Sequence, residues 1–142
     1  MKKLITILFI GLISLSVKAQ DKAAKIDFKQ TTIDYGTIDK GSNGVRIFEF
    51  TNTGDAPLIV SKVSSSCGCT IPKKPDGPIL PGKIGKIEVK YDTNRVNPIR
   101  KTITVISNAT NTPTVALKIK GLVVDPSKNN VLEKKVKSVV EQ

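Results

Sequence analysis

The only two cysteines of the 142-residue chain, Cys67 and Cys69, are separated by a single glycine within Ser64-Ser65-Ser66-Cys67-Gly68-Cys69-Thr70. That spacing admits three chemistries: a local disulfide, a pair of thiolates for a soft metal, or two reduced thiols at a strand end. A disulfide here closes a loop of three residues, for which chain entropy supplies only ~1.6 kcal/mol of stabilisation. A bond that adds so little is not explained as a staple, and a strained one is easily reduced, as thiol exchange requires. Gly68 is expected to ease the bend that brings the sulfurs together, with Ser66 and Thr70 as polar supports. Two thiolates also suit Cu(I), which accepts low coordination by soft ligands, whereas a closed zinc site needs four ligands and the chain offers two. No second redox motif accompanies the pair.

The remaining inventory is poor in catalytic groups. There is no histidine, no tryptophan and a single methionine, Met1, which removes the usual general base. Asp34, Asp39, Glu49, Asp55, Asp76, Glu88 and Asp92 form no spaced pair, and Ser64 to Ser66 lack a histidine or lysine partner. The expectation is therefore a protein that is not an enzyme and carries no cofactor, unless Cu(I) binds the thiols.

Compartment decides among the cysteine chemistries. Met1-Lys2-Lys3 followed by the apolar run Leu4 to Val17 and by Val17-Lys18-Ala19 reads as a secretory signal cleaved after Ala19, since the run falls short of the ~20 residues of a membrane helix. No cysteine near the cleavage point offers a thiol for lipid attachment. The 123 residues after Ala19 carry 20 basic and 12 acidic groups, a net charge of +8. The lysines are dispersed and no Lys/Arg run is interleaved with aromatics, so no nucleic-acid face is expected. An envelope protein or an envelope glycan is the expected partner, and after cleavage nothing is expected to span a membrane. An exported, oxidising setting favours the two cysteines being bonded to each other in a chain that begins at Gln20.

The elements that position the cysteines alternate with period two. Phe48 and Phe50 share one face with Glu49 on the other; Ile87, Val89 and Tyr91 alternate with Lys86, Glu88 and Lys90; Ile103 and Val105 alternate with Thr102 and Thr104; Leu117 and Ile119 alternate with Lys118 and Lys120. Turn-forming runs such as Asp39 to Gly44, Asn52 to Pro57 and Leu80 to Lys83 separate them. Ile26 to Phe28 with Ile33 to Ile38 read as a first strand region, and Leu58 to Ser64 reads as the strand that delivers the chain to the cysteines. Ile71 to Ile79, with Pro72, Pro75 and Pro78, reads as an extended crossing between sheets, and Ile99 to Ser107 as the longest strand. About seven strands in ~100 residues predict an all-β, immunoglobulin-like antiparallel sandwich over residues 26–124. A tail, residues 125–142, is expected to be flexible or weakly helical, with Leu132, Val136, Val139 and Val140 at helical spacing. Asn108-Ala109-Thr110 matches a glycosylation acceptor, which is a coincidence if the host is bacterial, as the short Lys2-Lys3 start of the signal suggests.

Phe48-Glu49-Phe50-Thr51-Asn52-Thr53-Gly54-Asp55-Ala56-Pro57-Leu58, Ser66-Cys67-Gly68-Cys69-Thr70, Pro78-Ile79, Pro81-Gly82, Thr102-Ile103-Thr104-Val105 and Ser107-Asn108 together resemble the domain of unknown function 1573. The resemblance spans roughly Phe28 to Val124. It implies an exported bacterial protein with a fold similar to the immunoglobulin-like domains of the Hydin and major sperm protein type, which are chiefly interaction modules. It carries no catalytic role over to any residue here.

Overall fold

A computed structural model describes residues 21–128; the expected signal segment, the expected cleavage point and the Leu132 to Val140 stripe fall outside the described residues. Eight strands are present: β1 (Ile26–Phe28), β2 (Thr32–Asp39), β3 (Val45–Asn52), β4 (Val60–Ser65), β5 (Thr70–Lys73), β6 (Ile84–Tyr91), β7 (Pro98–Ser107) and β8 (Thr114–Val124). They form two four-stranded sheets, one in the order β1-β3-β6-β5 and the other β2-β8-β7-β4. The expected immunoglobulin-like sandwich is thus the fold. Phe48, Phe50, Ile87, Val89, Ile103, Val105, Leu117 and Ile119, the residues whose phase pointed inward, are each no more than 1% exposed. Period-two alternation buries one face of each sheet and leaves the lysines on the other, so the hydrophobic effect acts in register along every long strand.

Several boundaries differ from those expected, each for a local reason. Ile26–Phe28 and Thr32–Asp39 are not one strand region: β1 pairs with β3 and β2 with β8, so the chain changes sheets between them. The β2–β8 pair is the parallel one, and its register shifts between Asp34 and Thr37. Gly36 sits in that irregularity at φ 64°, a conformation open to glycine, while its N–H donates to Asp34 Oδ1 at 2.8 Å. The longest strand is β8, of 11 residues, rather than β7, of 10.

The largest correction concerns Ile71 to Ile79. Its first residues are not a crossing but belong to β5, an edge strand of four residues in which Pro72 stands opposite Val89. An edge position accommodates a residue without an amide hydrogen. Passage between sheets is made instead at Ser66 to Cys69, by the cysteine turn itself.

Candidate functional site

The cysteine turn joins two strand edges. β4 is the edge of one sheet and β5 the edge of the other, and four residues separate them. Ser66 prolongs the β4–β7 pairing, its N–H donating to Thr102 O at 3.0 Å, and Thr70 begins β5 opposite Tyr91. Between them the Ser65 hydroxyl lies 2.7 Å from Thr70 O and also reaches Cys67 O, Thr70 N–H donates to Cys67 O at 3.4 Å, and Asp92 N–H donates to Cys69 O at 2.9 Å. The crossing is therefore held by backbone and hydroxyl hydrogen bonds as well as by sulfur.

Cys67 and Cys69 are disulfide-bonded, with Cα atoms 5.4 Å apart. They are unequal in access: Cys69 is 8% exposed and part of the core, while Cys67 is half-buried. The Cys69 N–H donates to Cys67 Sγ at 3.3 Å, and Cys69 Sγ lies 3.8 Å from Thr70 Oγ1. Of the supporting residues, Thr70 is buried and Ser66 exposed. Gly68 is exposed, has no positive φ, and a Cβ placed on it meets no atom within 4 Å, so the turn closes without requiring glycine. Cu(I) at these positions requires that the bond first be reduced. Among the described residues no group of three or more His, Cys, Asp or Glu side chains converges.

Lys101 escaped the sequence reading. It occupies the inward phase of β7 between Ile99 and Ile103, both fully buried, and pairs with Ile119. Ser65 pairs with Ile103, and Ser66 reaches Thr102, so the next row of the inner face brings Lys101 beside the start of the cysteine turn. The signal was a lysine where the alternation calls for an aliphatic residue.

Asn52 was also missed as a site residue, having been read as the first residue of a polar loop. It is fully buried at the inward end of β3, where its Nδ2 donates to Ala56 O and Ile79 O, both at 2.8 Å, and its Oδ1 accepts from Gly54 N–H at 3.0 Å and Lys25 N–H at 3.4 Å. One side chain thus ties three separate segments together. Asn108 acts similarly at the surface, accepting from Ile59 N–H at 2.8 Å and donating to Pro57 O at 3.1 Å.

Several carboxylates are occupied locally. Gly36 N–H, followed by Lys120 at 3.2 Å, holds Asp34 below the ordinary carboxylate range. The backbone and side-chain amides of Asn94, with a smaller contribution from Arg95, do the same for Asp92. Glu49 lies between Lys29 and Lys86, at 3.9 and 3.6 Å. Burial pushes the Tyr35 phenol up, and its hydroxyl donates to Gly44 O at 2.8 Å.

A second feature lies on the outer side of the β1-β3-β6-β5 sheet. Asn52 N–H to Lys83 O and Tyr91 N–H to Gly44 O, both 3.0 Å, fix the hydrogen-bonding phase of β3 against β6. In that phase Gly85, Ile87 and Val89 turn their amides toward β3, and Ile84, Lys86, Glu88 and Lys90 turn theirs the other way. β5 meets Glu88 through Lys73 and Lys90 through Ile71, but it ends at Lys73. The segment carrying Pro75 and Pro78 then leaves the sheet, and Ile79 returns only to bridge Leu58. Ile84 and Lys86 therefore have no strand beside them on that side among the described residues. A groove of about 290 Å³ opens there, with Ile47, Ile84 and Ile79 among its lining residues and Lys73 to Asp76 along one wall. Ile47 and Ile84 are 45% and 61% exposed and line the same groove. By contrast Tyr35, Phe48, Phe50 and Tyr91 are buried and Phe28 packs on the core, so no described aromatic ring is presented for sugar stacking.

The family described as "Protein of unknown function (DUF1573)" matches residues 26–123. No curated protein matches the chain. Among solved structures it is similar to a protein of unknown function from Porphyromonas gingivalis W83, at 18% identity and a TM-score of 0.65, over 77% of this chain and 51% of that one. The chain thus spans about half the length of that relative. It is also similar to the ASH / PapD-like domain 7 of human CEP192, at 14% identity and a TM-score of 0.59, over 80% of this chain and 96% of that one. A third likeness is to the Vibrio cholerae VesB protease, at 13% identity and a TM-score of 0.58, over 69% of this chain and 32% of that one. At such identities the likeness concerns the fold alone. Among the described residues no helix is long and apolar enough to cross a membrane.

Proposed function

This chain belongs to the DUF1573 family, and from that premise we propose that it is an exported immunoglobulin-like module that binds an extended polypeptide segment of an envelope protein along the open half of β6. The observation that carries this reading is the unpaired edge at Ile84 and Lys86, beside a groove lined by Ile47, Ile79 and Ile84. A peptide laid there continues the line of β5. Its backbone pairs with the free N–H and C=O groups of Ile84 and Lys86, and its aliphatic side chains cover the isoleucines. Export is supported by the Leu4 to Val17 run and the Val17-Lys18-Ala19 site. A polypeptide is favoured over a glycan because the described aromatics are committed to the core. The reading as a binder rather than an enzyme is supported by the missing histidine and by the separate local contacts that engage Asp34 and Asp92.

Photo-crosslinking in the host's envelope tests the reading. A photoreactive side chain at Ile84 is expected to yield a discrete adduct whose cross-linked peptide maps to one extended segment of one protein, while the same probe at Thr104, on the outer face of the other sheet, yields none. Adducts at Thr104 with none at Ile84 would place the binding surface on the wrong sheet for this account.

A further inference from the structure

We propose that the Cys67–Cys69 bond is an exchange-active disulfide that reacts at Cys67, with Lys101 as a positioning residue for the Cys67 sulfur. The inference is independent of peptide binding at β6. It rests on the unequal exposure of the two sulfurs, the amide aimed at one of them, and the inward lysine on the neighbouring strand.

An incoming thiolate needs access to one sulfur along the line of the S–S bond. Cys69 is 8% exposed and a member of the core, whereas Cys67 packs against the edge of that core and is only half-buried. Attack at Cys67 Sγ forms the partner–Cys67 bond and breaks the bond to Cys69, which leaves as a thiolate beside Thr70 Oγ1 and takes a proton from water. A second thiolate of the same partner then attacks the partner's own sulfur and expels Cys67. The partner dithiol loses two electrons and becomes a disulfide, and Cys67 and Cys69 gain them as a dithiol. In this second step Cys67 is the leaving group, and the features around it suit that task. The Cys69 N–H already donates to Cys67 Sγ at 3.3 Å. The strand register sets Lys101 in the row beyond Ser65–Ile103, at the start of the turn, where its cation favours a thiolate. The substrate class is a dithiol on another exported polypeptide.

Reduced glutathione serves as the probe. Wild-type protein is incubated with it, quenched with an alkylating agent and mapped by mass: glutathione on Cys67 with the alkyl group on Cys69 is expected. Glutathione on Cys69, equal amounts on both, or no reaction overturns the proposal. In the fully reduced protein under native conditions, Cys67 is expected to alkylate at least tenfold faster than Cys69 at pH 7. Lys101→Met is expected to slow Cys67 alkylation at least threefold and Lys101→Arg to restore it, each with a circular dichroism spectrum like that of the wild type. An unchanged rate in Lys101→Met removes Lys101 from the mechanism, and similar rates at the two cysteines overturn the assignment of Cys67.

Discussion

Asn52 shows how a single polar side chain can decide local structure. Its amide makes two donations and accepts twice, which uses the full capacity of the group inside the core. Asn52→Asp keeps the shape but turns two donors into an acceptor facing Ala56 O and Ile79 O. Unsatisfied buried groups and an unpaired charge together cost about 3 kcal/mol or more, so the urea midpoint should fall well below that of the wild type with the m-value unchanged. A midpoint like that of the wild type would mean that water, rather than Asn52, serves those carbonyls. Core positions such as Phe48, Ile87 and Leu117 were legible because alternation encodes them directly. Asn52 was not, because asparagine at a strand end is also what a turn looks like. Its clue was phase: it follows Phe48 and Phe50 at the inward spacing. Ile47 was hidden for the opposite reason, an aliphatic residue in the outward phase that a core-seeking reading assigns to water.

At the scale of elements, sequence showed the strands but not which sheet each joins. Proline content correctly argued against a central strand at Ile71 to Ile79, yet a four-residue edge strand tolerates Pro72, and this moved the crossing back to the cysteines. Parallel pairing of β2 with β8 left no local mark, since it depends on where the chain goes between Phe28 and Thr32. The cysteine turn bridges strands already joined by Ser65 and Asp92 hydrogen bonds. Replacing both cysteines with serine should therefore lower unfolding free energy by no more than the ~1.6 kcal/mol expected for a three-residue loop, measured by urea titration. A loss above about 3 kcal/mol would reveal a structural staple, and would weaken the case that the bond exists to react.

For the whole molecule, charge and titration set the response to pH. The sequence contains no histidine, so no side chain with an ordinary pKa titrates between about pH 5 and 8. Asp34, Asp92 and Asp125 are held below the ordinary carboxylate range, by Gly36 N–H, the Asn94 amides and the Ser127 hydroxyl respectively. A depressed carboxylate stabilises the fold above its unfolded pKa and loses that contribution as pH falls through the lower folded value. Thermal midpoints should thus be flat from pH 7 to about 5 and decline below about pH 4. Asp34→Asn should make that decline shallower; a fall already complete at pH 5 would contradict the assignment. The sandwich was readable from alternation and composition, whereas the open half of β6 was not. It arises from a mismatch between an eight-residue strand and a four-residue neighbour, a fact of pairing that no segment carries alone.

The open edge can be tested with one substitution. The Lys86 N–H points away from β3, so Lys86→Pro removes a hydrogen-bond donor that the fold leaves unpaired, along with an exposed ion pair to Glu49. With the segment captured at Ile84 prepared as a synthetic peptide, calorimetric titration should give a Kd at least about tenfold weaker for Lys86→Pro than for wild type, a difference of about 1.4 kcal/mol, while the variant keeps its strand content by circular dichroism. An unchanged Kd in a folded Lys86→Pro protein would contradict strand pairing at β6.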